Sequence, residues 1–384
     1  MKRLGFFLLV AGGALLPGTI VRGDEVTIRG AYYREPSTRV IQPVVEMSKD
    51  LPHGFDVETH YLLDAISSAS AAAGPVGDSV FTEIRNEVGI GVGKTWDRTR
   101  ATLGYRYSAE SDYWSHGVAG SVAQRLWGDT ATVALSLGLS FDSMSAHART
   151  PDCATPPDTS CFLNSYFYGL SYTQVLSPVQ IAQVNLEGAF LDGFQGNIYR
   201  MVPNFGYEKP PDRRMRNAVA ARWAYYLPES QTGFQIHYRF YWDFFPGTSQ
   251  VTYNPWDIRA HTIEGRFYQR VSRTLEIRLL YRQYVQNHAA FWCDSVANPS
   301  CYDINALGLP IVPPPPYQSS DPKLGPVYTE YPEVKLIWDA DPLHDIPFFR
   351  WFSTGTFEIS YGHYYQNTSF GNAHVLQTGY SMPY

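Results

Sequence analysis

Thr130–Asp142 reads TATVALSLGLSFD. Ala131, Val133, Leu135, Leu137, Leu139 and Phe141 fall on one face of an extended chain. Thr130, Thr132, Ala134, Ser136, Gly138, Ser140 and Asp142 fall on the other, because successive strand side chains point to opposite sides. Soluble strands average about 5–6 residues, whereas a tilted strand that crosses a membrane needs about 9–11. An alternation this long predicts one face toward hydrocarbon and one toward water or packed polar groups.

The same period recurs outward from this stretch. In Phe81–Gly93, Thr82, Ile84, Val88, Ile90 and Val92 oppose Glu83, Arg85 and Glu87. Phe234, Ile236, Tyr238, Phe240 and Trp242 alternate with Gln235, His237, Arg239, Tyr241 and Asp243; Leu275, Ile277, Leu279 and Tyr281 alternate with Glu276, Arg278, Leu280 and Arg282. Reading every such run predicts strands at 26–34, 38–48, 54–66, 80–94, 99–110, 113–127, 130–144, 163–176, 180–191, 215–227, 232–244, 256–271, 274–288, 328–339, 353–366 and 373–384. Pro43 lies inside the second of these, where a ladder hydrogen bond would be lost.

The fold class these runs predict is all-β: a transmembrane antiparallel up-and-down β-barrel of about 16 strands. A large β-sandwich would use shorter core strands. Even strand number, short periplasmic turns and long outer loops are the habit of such barrels. With the N-terminus periplasmic, Trp96-Asp97-Arg98, Gly128-Asp129, Ser177-Pro178, Pro228-Glu229-Ser230 and Ser272-Arg273 become the short turns, and 145–162, 192–214, 245–255 and 289–327 the long loops. The connection 340–352 departs from the pattern, being long on the periplasmic side. Aromatic content of 15%, with 28 Tyr, 21 Phe and 9 Trp, suits girdles at both membrane interfaces.

The chain begins with Met1-Lys2-Arg3, an apolar stretch Leu4–Leu16 and Pro17, then Val21-Arg22-Gly23. This is the pattern of a signal peptide over 1–23, too short for a spanning helix. The barrel occupies 24–384, and export predicts the bacterial outer membrane. Removing Lys2, Arg3 and Arg22 leaves 27 basic residues against 36 acids, a net charge of −9. That balance excludes a nucleic-acid partner. Leu376, Tyr380, Met382 and the terminal Tyr384 share one face of the last strand, the form of the segment read by the outer-membrane assembly machinery, although Phe is the usual last residue.

Four stretches, VTIRGAYYREPSTRVIQP (26–43), HYLLDAISSASAA (60–72), FTEIRNEVGIGVG (81–93) and YRYSAESDYWSHG (105–117), together resemble the domain-of-unknown-function 3570 family of outer-membrane barrels, most densely in the first third of the chain. The resemblance implies an outer-membrane barrel and no activity.

A charge facing lipid near the midplane costs about 2–4 kcal/mol for Arg or Lys, so the charged members of the alternating strands must point into the lumen. In strand order these are Arg29, Glu46, Asp56, Glu58, His60, Asp64, Glu83, Arg85, Glu87, Arg106, Glu110, Arg125, Asp142, Glu187, Arg216, Arg222, His237, Arg239, Asp243, Glu264, Arg266, Arg270, Glu276, Arg278, Arg282, Glu333, Lys335, Asp339 and Glu358. They could line a water-filled pore for small ions or solutes, or pair across strands and fill it. Glu264 and Arg266 opposite Glu276 and Arg278 would suit a cross-strand ladder. Sixteen strands is the size at which porins keep a channel, so a porin-like channel is the first expectation. A non-conducting scaffold or receptor, binding a partner through its outer loops, is the second.

Asp56, Glu58, His60, Asp64, Glu83 and Glu87 are dense enough in carboxylates to suggest a divalent cation. An acidic wall paired with Arg85 and Arg106 is the simpler reading, so no metal and no cofactor are expected. Cys153, Cys161, Cys293 and Cys301 form two groups of equal spacing in predicted outer loops. Of the three possible connectivities, pairing within each loop is expected in an oxidising envelope. Pro313–Pro316 predicts a stiff polyproline segment, either constricting the mouth or standing outside it. No nucleophile elbow, His-Glu-x-x-His or phosphate loop occurs, so no enzyme is expected. A barrel-rim hydrolase near His116 or His147 is the remaining alternative; otherwise His116 and His363 read as girdle or lumen residues.

Overall fold

A computed structural model describes residues 23–68, 81–145, 160–197, 201–202, 206–246, 254–293 and 317–384. The first 22 residues, including nearly all of the predicted signal peptide, lie outside the described residues, as do Cys153, Cys301, His147 and Pro313–Pro316.

The strands are β1 (Glu25–Arg34), β2 (Thr38–Leu51), β3 (Phe55–Ser68), β4 (Phe81–Trp96), β5 (Thr99–Ala109), β6 (Tyr113–Leu126), β7 (Ala131–Ser145), β8 (Ser160–Ser177) and β9 (Gln180–Gly193). A two-residue hairpin, β10 (Met201–Val202) and β11 (Gly206–Tyr207), sits in the connection that follows. Then come β12 (Arg213–Leu227), β13 (Thr232–Phe244), β14 (Arg259–Arg270), β15 (Leu275–Gln286), β16 (Val327–Asp339), β17 (Thr356–Gln366) and β18 (Ala373–Pro383). Apart from β10 and β11, every strand pairs antiparallel with its neighbours in the chain, and β1 pairs with β18 to close a 16-stranded barrel. Hydrocarbon offers backbone N–H and C=O groups no partner, so a sheet that crosses it must have no free edge.

All sixteen predicted strands are present, with ends displaced by at most three residues. Period 2 sorts the side chains as expected. On β7, Leu135, Leu137, Leu139 and Phe141 are exposed on the outer surface, while Ala134, Ser136 and Ser140 are buried. Ile28, Val45, Tyr61, Val88, Leu103, Ile236, Leu279 and Leu336 continue that apolar outer surface around the barrel. Large apolar groups exposed on this scale are what a lipid-facing band requires.

Two prolines interrupt the ladder on one side each. Pairing of β2 with β3 skips Gln42 and Pro43, while Pro43 stays paired with Gly30 on β1. Pairing of β16 with β17 skips Tyr331 and Pro332, while Pro332 stays paired with Tyr281 on β15. Each lacks a single N–H, which points to one neighbour only.

One end of the barrel carries both chain ends and the tight connections. Tyr384 N–H donates to the Asp24 carbonyl at 3.0 Å. Asp97 (φ 51°) and Gly128 with Asp129 (φ 66° and 68°) turn these hairpins in the left-handed region that two-residue loops favour. The long connection 340–355 is also at this end, and contains short 3-10 turns at Asp341–Asp345 and Arg350–Phe352. The opposite end, here the loop end, carries the connections after β3, β7, β9, β13 and β15.

Candidate functional site: the inner wall

Three arcs of the inner wall differ in chemistry. The first runs over β3, β4 and β5. Asp56, Glu58, His60 and Asp64 stand on β3 in register with Gly93, Gly91, Gly89 and Arg85 on β4. Glycine at these places makes room: a Cβ on Gly93 would lie 2.3 Å from the Asp56 carboxylate, and one on Gly89 2.1 Å from the His60 ring. Asp56 therefore reaches over β4 to Arg100 on β5, which grips it with both terminal nitrogens at 2.5 and 2.9 Å. Arg85 pairs with Asp64 at 3.1 Å. Glu87 forms an ion pair with Arg106 at 3.6 Å and meets His60 Nε2 at 3.2 Å. Arg85 and Arg106 thus each hold an acid of this wall, Asp64 and Glu87. Glu83 stands apart, at the loop end, where its carboxylate lies within 4.8 Å of those of Glu110 and Asp112.

Opposite lies a basic arc over β12–β15. Arg214, Arg216 and Arg222 come from β12, Arg239 from β13, Arg266 and Arg270 from β14, and Arg278 and Arg282 from β15. The acids among them are Asp243, Glu264 and Glu276. Arg222, His237, Glu264 and Arg282 stand in one row across four strands. Counting round the closed sheet, the β3/β4 boundary and the β13/β14 boundary are eight strands apart, halfway around the sixteen. Among the described residues Arg222, Arg270 and Arg282 form no ion pair, and Arg222 donates to Gln183.

The anticipated ladder between Glu264–Arg266 and Glu276–Arg278 does not form. The hairpin register places Glu264 opposite Arg282, Arg266 opposite Leu280, and Glu276 opposite Arg270. Arg266 instead pairs with Glu264 of its own strand at 2.7 Å. Arg278 turns to Glu333 on β16 at 2.5 Å, and Lys335 pairs with Glu358 on β17 at 2.5 Å. Arg239 reaches over β12 to Glu187 on β9 at 2.7 Å.

Between these arcs, apart from Phe167 on β8 opposite Gly138, β6–β8 present small groups over the middle of the wall: Ser115, Gly117, Ala119 and Ser121 on β6, Ala134, Ser136, Gly138 and Ser140 on β7, and Ser165, Gly169 and Ser171 on β8. The lumen is therefore lined by long charged side chains on two sides and by short uncharged ones on a third.

At the loop end, Trp256, Ile258, Ala289 and Phe291 pack against Ala218, Tyr241 and Ala260, all inward residues of β12–β14. These loop segments thus lie on the inner side of the wall. Asp243 ties them down: it accepts from Arg214 Nε at 2.8 Å, from the Tyr241 hydroxyl at 3.1 Å and from the Ile258 N–H at 2.7 Å. The Arg214 guanidinium also covers the Trp256 ring at 4.0 Å. Cys161, fully buried beside Met144, opens β8, and Cys293 is buried next to this loop cluster. His116, His261, His363 and His374 face outward. His116 Nδ1 is bonded to Tyr105 at 2.8 Å and His261 Nδ1 to Tyr238 at 2.7 Å, in the manner of girdle residues.

Two arginines central to the wall were missed from sequence. Arg100 has the parity of Arg106, so the alternation alone would have found it. Arg214 fell in a predicted loop because β12 begins two residues earlier than its apolar pattern.

The closed barrel resembles a bacterial polysaccharide outer membrane secretin, with 9% identity over 94% of this chain and 98% of that one and a TM-score of 0.50. It resembles CdiB from Acinetobacter baumannii, with 5% identity over 94% of this chain, 60% of that one and a TM-score of 0.51. Pseudomonas aeruginosa OccD3 aligns at 12% identity over 94% and 91%, with a TM-score of 0.46. The first two likenesses are of fold, the fold of bacterial outer-membrane barrels. No curated protein sequence matches the chain. The family model described as "Protein of unknown function (DUF3570)" matches residues 67–159 and 164–341. That span takes in FTEIRNEVGIGVG and YRYSAESDYWSHG but not residues 26–43. A lipid-facing barrel with a polar, charge-paired inner wall, matched over most of its length by this model, belongs to the DUF3570 family.

Proposed function

We propose that the protein is a porin-like channel of the bacterial outer membrane, with the loop end outside and the tight turns in the periplasm. One observation carries the reading. Among the described residues, every ion pair of the inner wall joins residues of one strand, of adjacent strands or of strands one apart: Asp56–Arg100, Asp64–Arg85, Glu187–Arg239, Arg278–Glu333 and Lys335–Glu358 are of this kind. The charges brace the wall and do not bridge the lumen, as a non-conducting, cross-linked barrel would require. Asp56, Glu58, His60, Asp64, Glu83, Arg85, Glu87, Arg106, Arg222, His237, Arg239, Glu264, Arg266, Glu276, Arg278, Arg282 and Lys335 are the pore-lining set, to which Arg100 is added. Opposed acidic and basic arcs would orient a charged or dipolar solute between them. Planar-bilayer recording of the purified barrel tests this: stepwise conductance is expected, and folded protein that never conducts removes the proposal.

The loop cluster at the mouth favours a second reading, a receptor whose outer loops bind a partner. In either case we place the disulfides within loops, Cys153 with Cys161 and Cys293 with Cys301. Peptide mapping without reductant that finds a link between the two loops would reverse the assignment.

A further inference from the structure

The outward surface changes character near the loop end of the β1–β18 seam. Arg39 on β2, Arg34 on β1, His374 on β18 and His363 on β17 stand opposite one another in direct register. Two residues closer to the middle of the barrel, Ile41, Tyr32, Leu376 and Tyr361 form the row below on the same four strands. Ile41, Leu376 and Tyr361 are exposed outer residues, so both rows face outward. Four strands span about 14 Å between the outer two.

The two rings of the upper row approach with Nδ1 atoms 3.3 Å apart, and the Tyr361 hydroxyl lies 2.7 Å from His374 Nδ1. Arg34 and Arg39 are both exposed, and among the described residues neither side chain has a hydrogen bond or an ion pair. The nearby acids are already occupied. Glu35, at the hairpin tip, takes the Tyr33 hydroxyl at 2.6 Å and Ser37 at 3.2 Å. Glu330, on β16, takes the Tyr328 hydroxyl.

Two adjacent, unopposed guanidinium groups repel each other, and an anion held between them relieves that repulsion and engages both. Arginine presents forked donors that match the oxygens of a phosphate, and imidazole N–H groups add further donors beside them. The apolar row directly beneath is what the acyl chains of the same molecule would meet. An arginine facing outward is costly at the bilayer midplane and cheap near its surface, which places this row at headgroup level. We propose that Arg34, Arg39, His363 and His374 form a binding site for the phosphate of an anionic lipid headgroup, in the leaflet at the loop end.

Native mass spectrometry of the full barrel tests the site, with phosphatidylglycerol, phosphatidylcholine and inorganic phosphate as probes. Phosphatidylglycerol should be retained in preference to phosphatidylcholine. R34Q and R39Q should each lower that retention on the order of fivefold, and together more. H363Q/H374Q should lower it less, and R259Q, an outward arginine on β14 already paired with Asp257 at 3.4 Å, should leave it unchanged. Equal retention of the two lipids, or unchanged retention in both R34Q and R39Q, overturns the proposal. Competition by inorganic phosphate as strong as that of the lipid would make this a soluble-anion site and overturn it as well. The single variants keep the test open if the double arginine variant does not fold. The row is on the opposite face from the lumen, so conductance should be unaffected, and this site and the channel reading stand or fall separately.

Discussion

The acidic arc over β3–β5 and the basic arc over β12–β15 both carry long charged side chains, but they use them differently. On β3–β5, acids are matched to bases at close range: the Asp56 side chain is 6% exposed under Arg100, and that of Asp64 is 3% exposed beside Arg85. On β12–β15, arginines outnumber acids, and Arg222 and Arg282 stand without an acid of their own. A buried carboxylate must be paired to be tolerated. A guanidinium facing a wet lumen keeps its hydration and can remain single. One arc is thus built for integrity, while the other leaves charge available to whatever enters.

The sharpest test removes one guanidinium from each arc. Arg100→Ala strands the Asp56 carboxylate, and breaking such a buried pair should destabilise the barrel by about 3–5 kcal/mol. Arg222→Ala leaves only Gln183 short of a donor and should cost about 1 kcal/mol or less. Denaturant unfolding of the barrel in lipid vesicles measures both; equal losses would erase the distinction. Gly93→Leu attacks the same pair through space, since its Cβ alone would meet the Asp56 carboxylate. Overpacking of this kind should cost about 1–3 kcal/mol, and relief by the additional Asp56→Asn change would show that the crowded group is the ionised pair.

Selectivity should respond in the opposite sense. Arg222→Gln with Arg282→Gln removes unpaired positive charge from the lumen and should shift the zero-current potential toward cations, changing the permeability ratio roughly two- to threefold. Arg100→Gln with Asp56→Asn, if folded, should shift it less, because the pair carries no net charge. A larger shift from that pair would mean that the arcs have been assigned the wrong way round.

The fold was legible because membrane strands repeat one rule sixteen times: hydrocarbon outside, polar groups inside, period 2. Even Pro43 announced where the ladder would skip, and Pro332 repeats the effect on β16. Pairing was less legible, because parity assigns a side chain to a face but not to a partner. Glu264 and Arg266 sit on the face expected of them, yet their partners depended on a hairpin register that no alternation reveals. Asp56 found Arg100 across an intervening strand only because Gly93 leaves the gap open. The packing of Trp256 and Phe291 on the inward side of β12–β14 lay beyond period-2 reading, since loops have no period.

The smallest effect is expected where the arcs give way to the seam between the chain ends. Asp24 accepts from Lys49 Nζ at 2.9 Å and from the Asp50 N–H at 2.9 Å. The Lys49 hydrogen bond, with that of Asp50, holds its carboxyl below the usual range. A carboxyl lowered by folding stabilises the folded seam above its unfolded value, and that contribution fades as pH falls through the lowered one. The pair is open to water and screened by salt, so the barrel as a whole should not unfold with it. The Tyr384 amide, which donates to the Asp24 carbonyl, is the local reporter. Its hydrogen exchange, corrected for intrinsic rate, should quicken on acidification below the carboxylate range in the native barrel and lose that dependence in Asp24→Asn. Exchange that ignores both pH and the substitution would show that β1 and β18 are held at this end by their ladder alone.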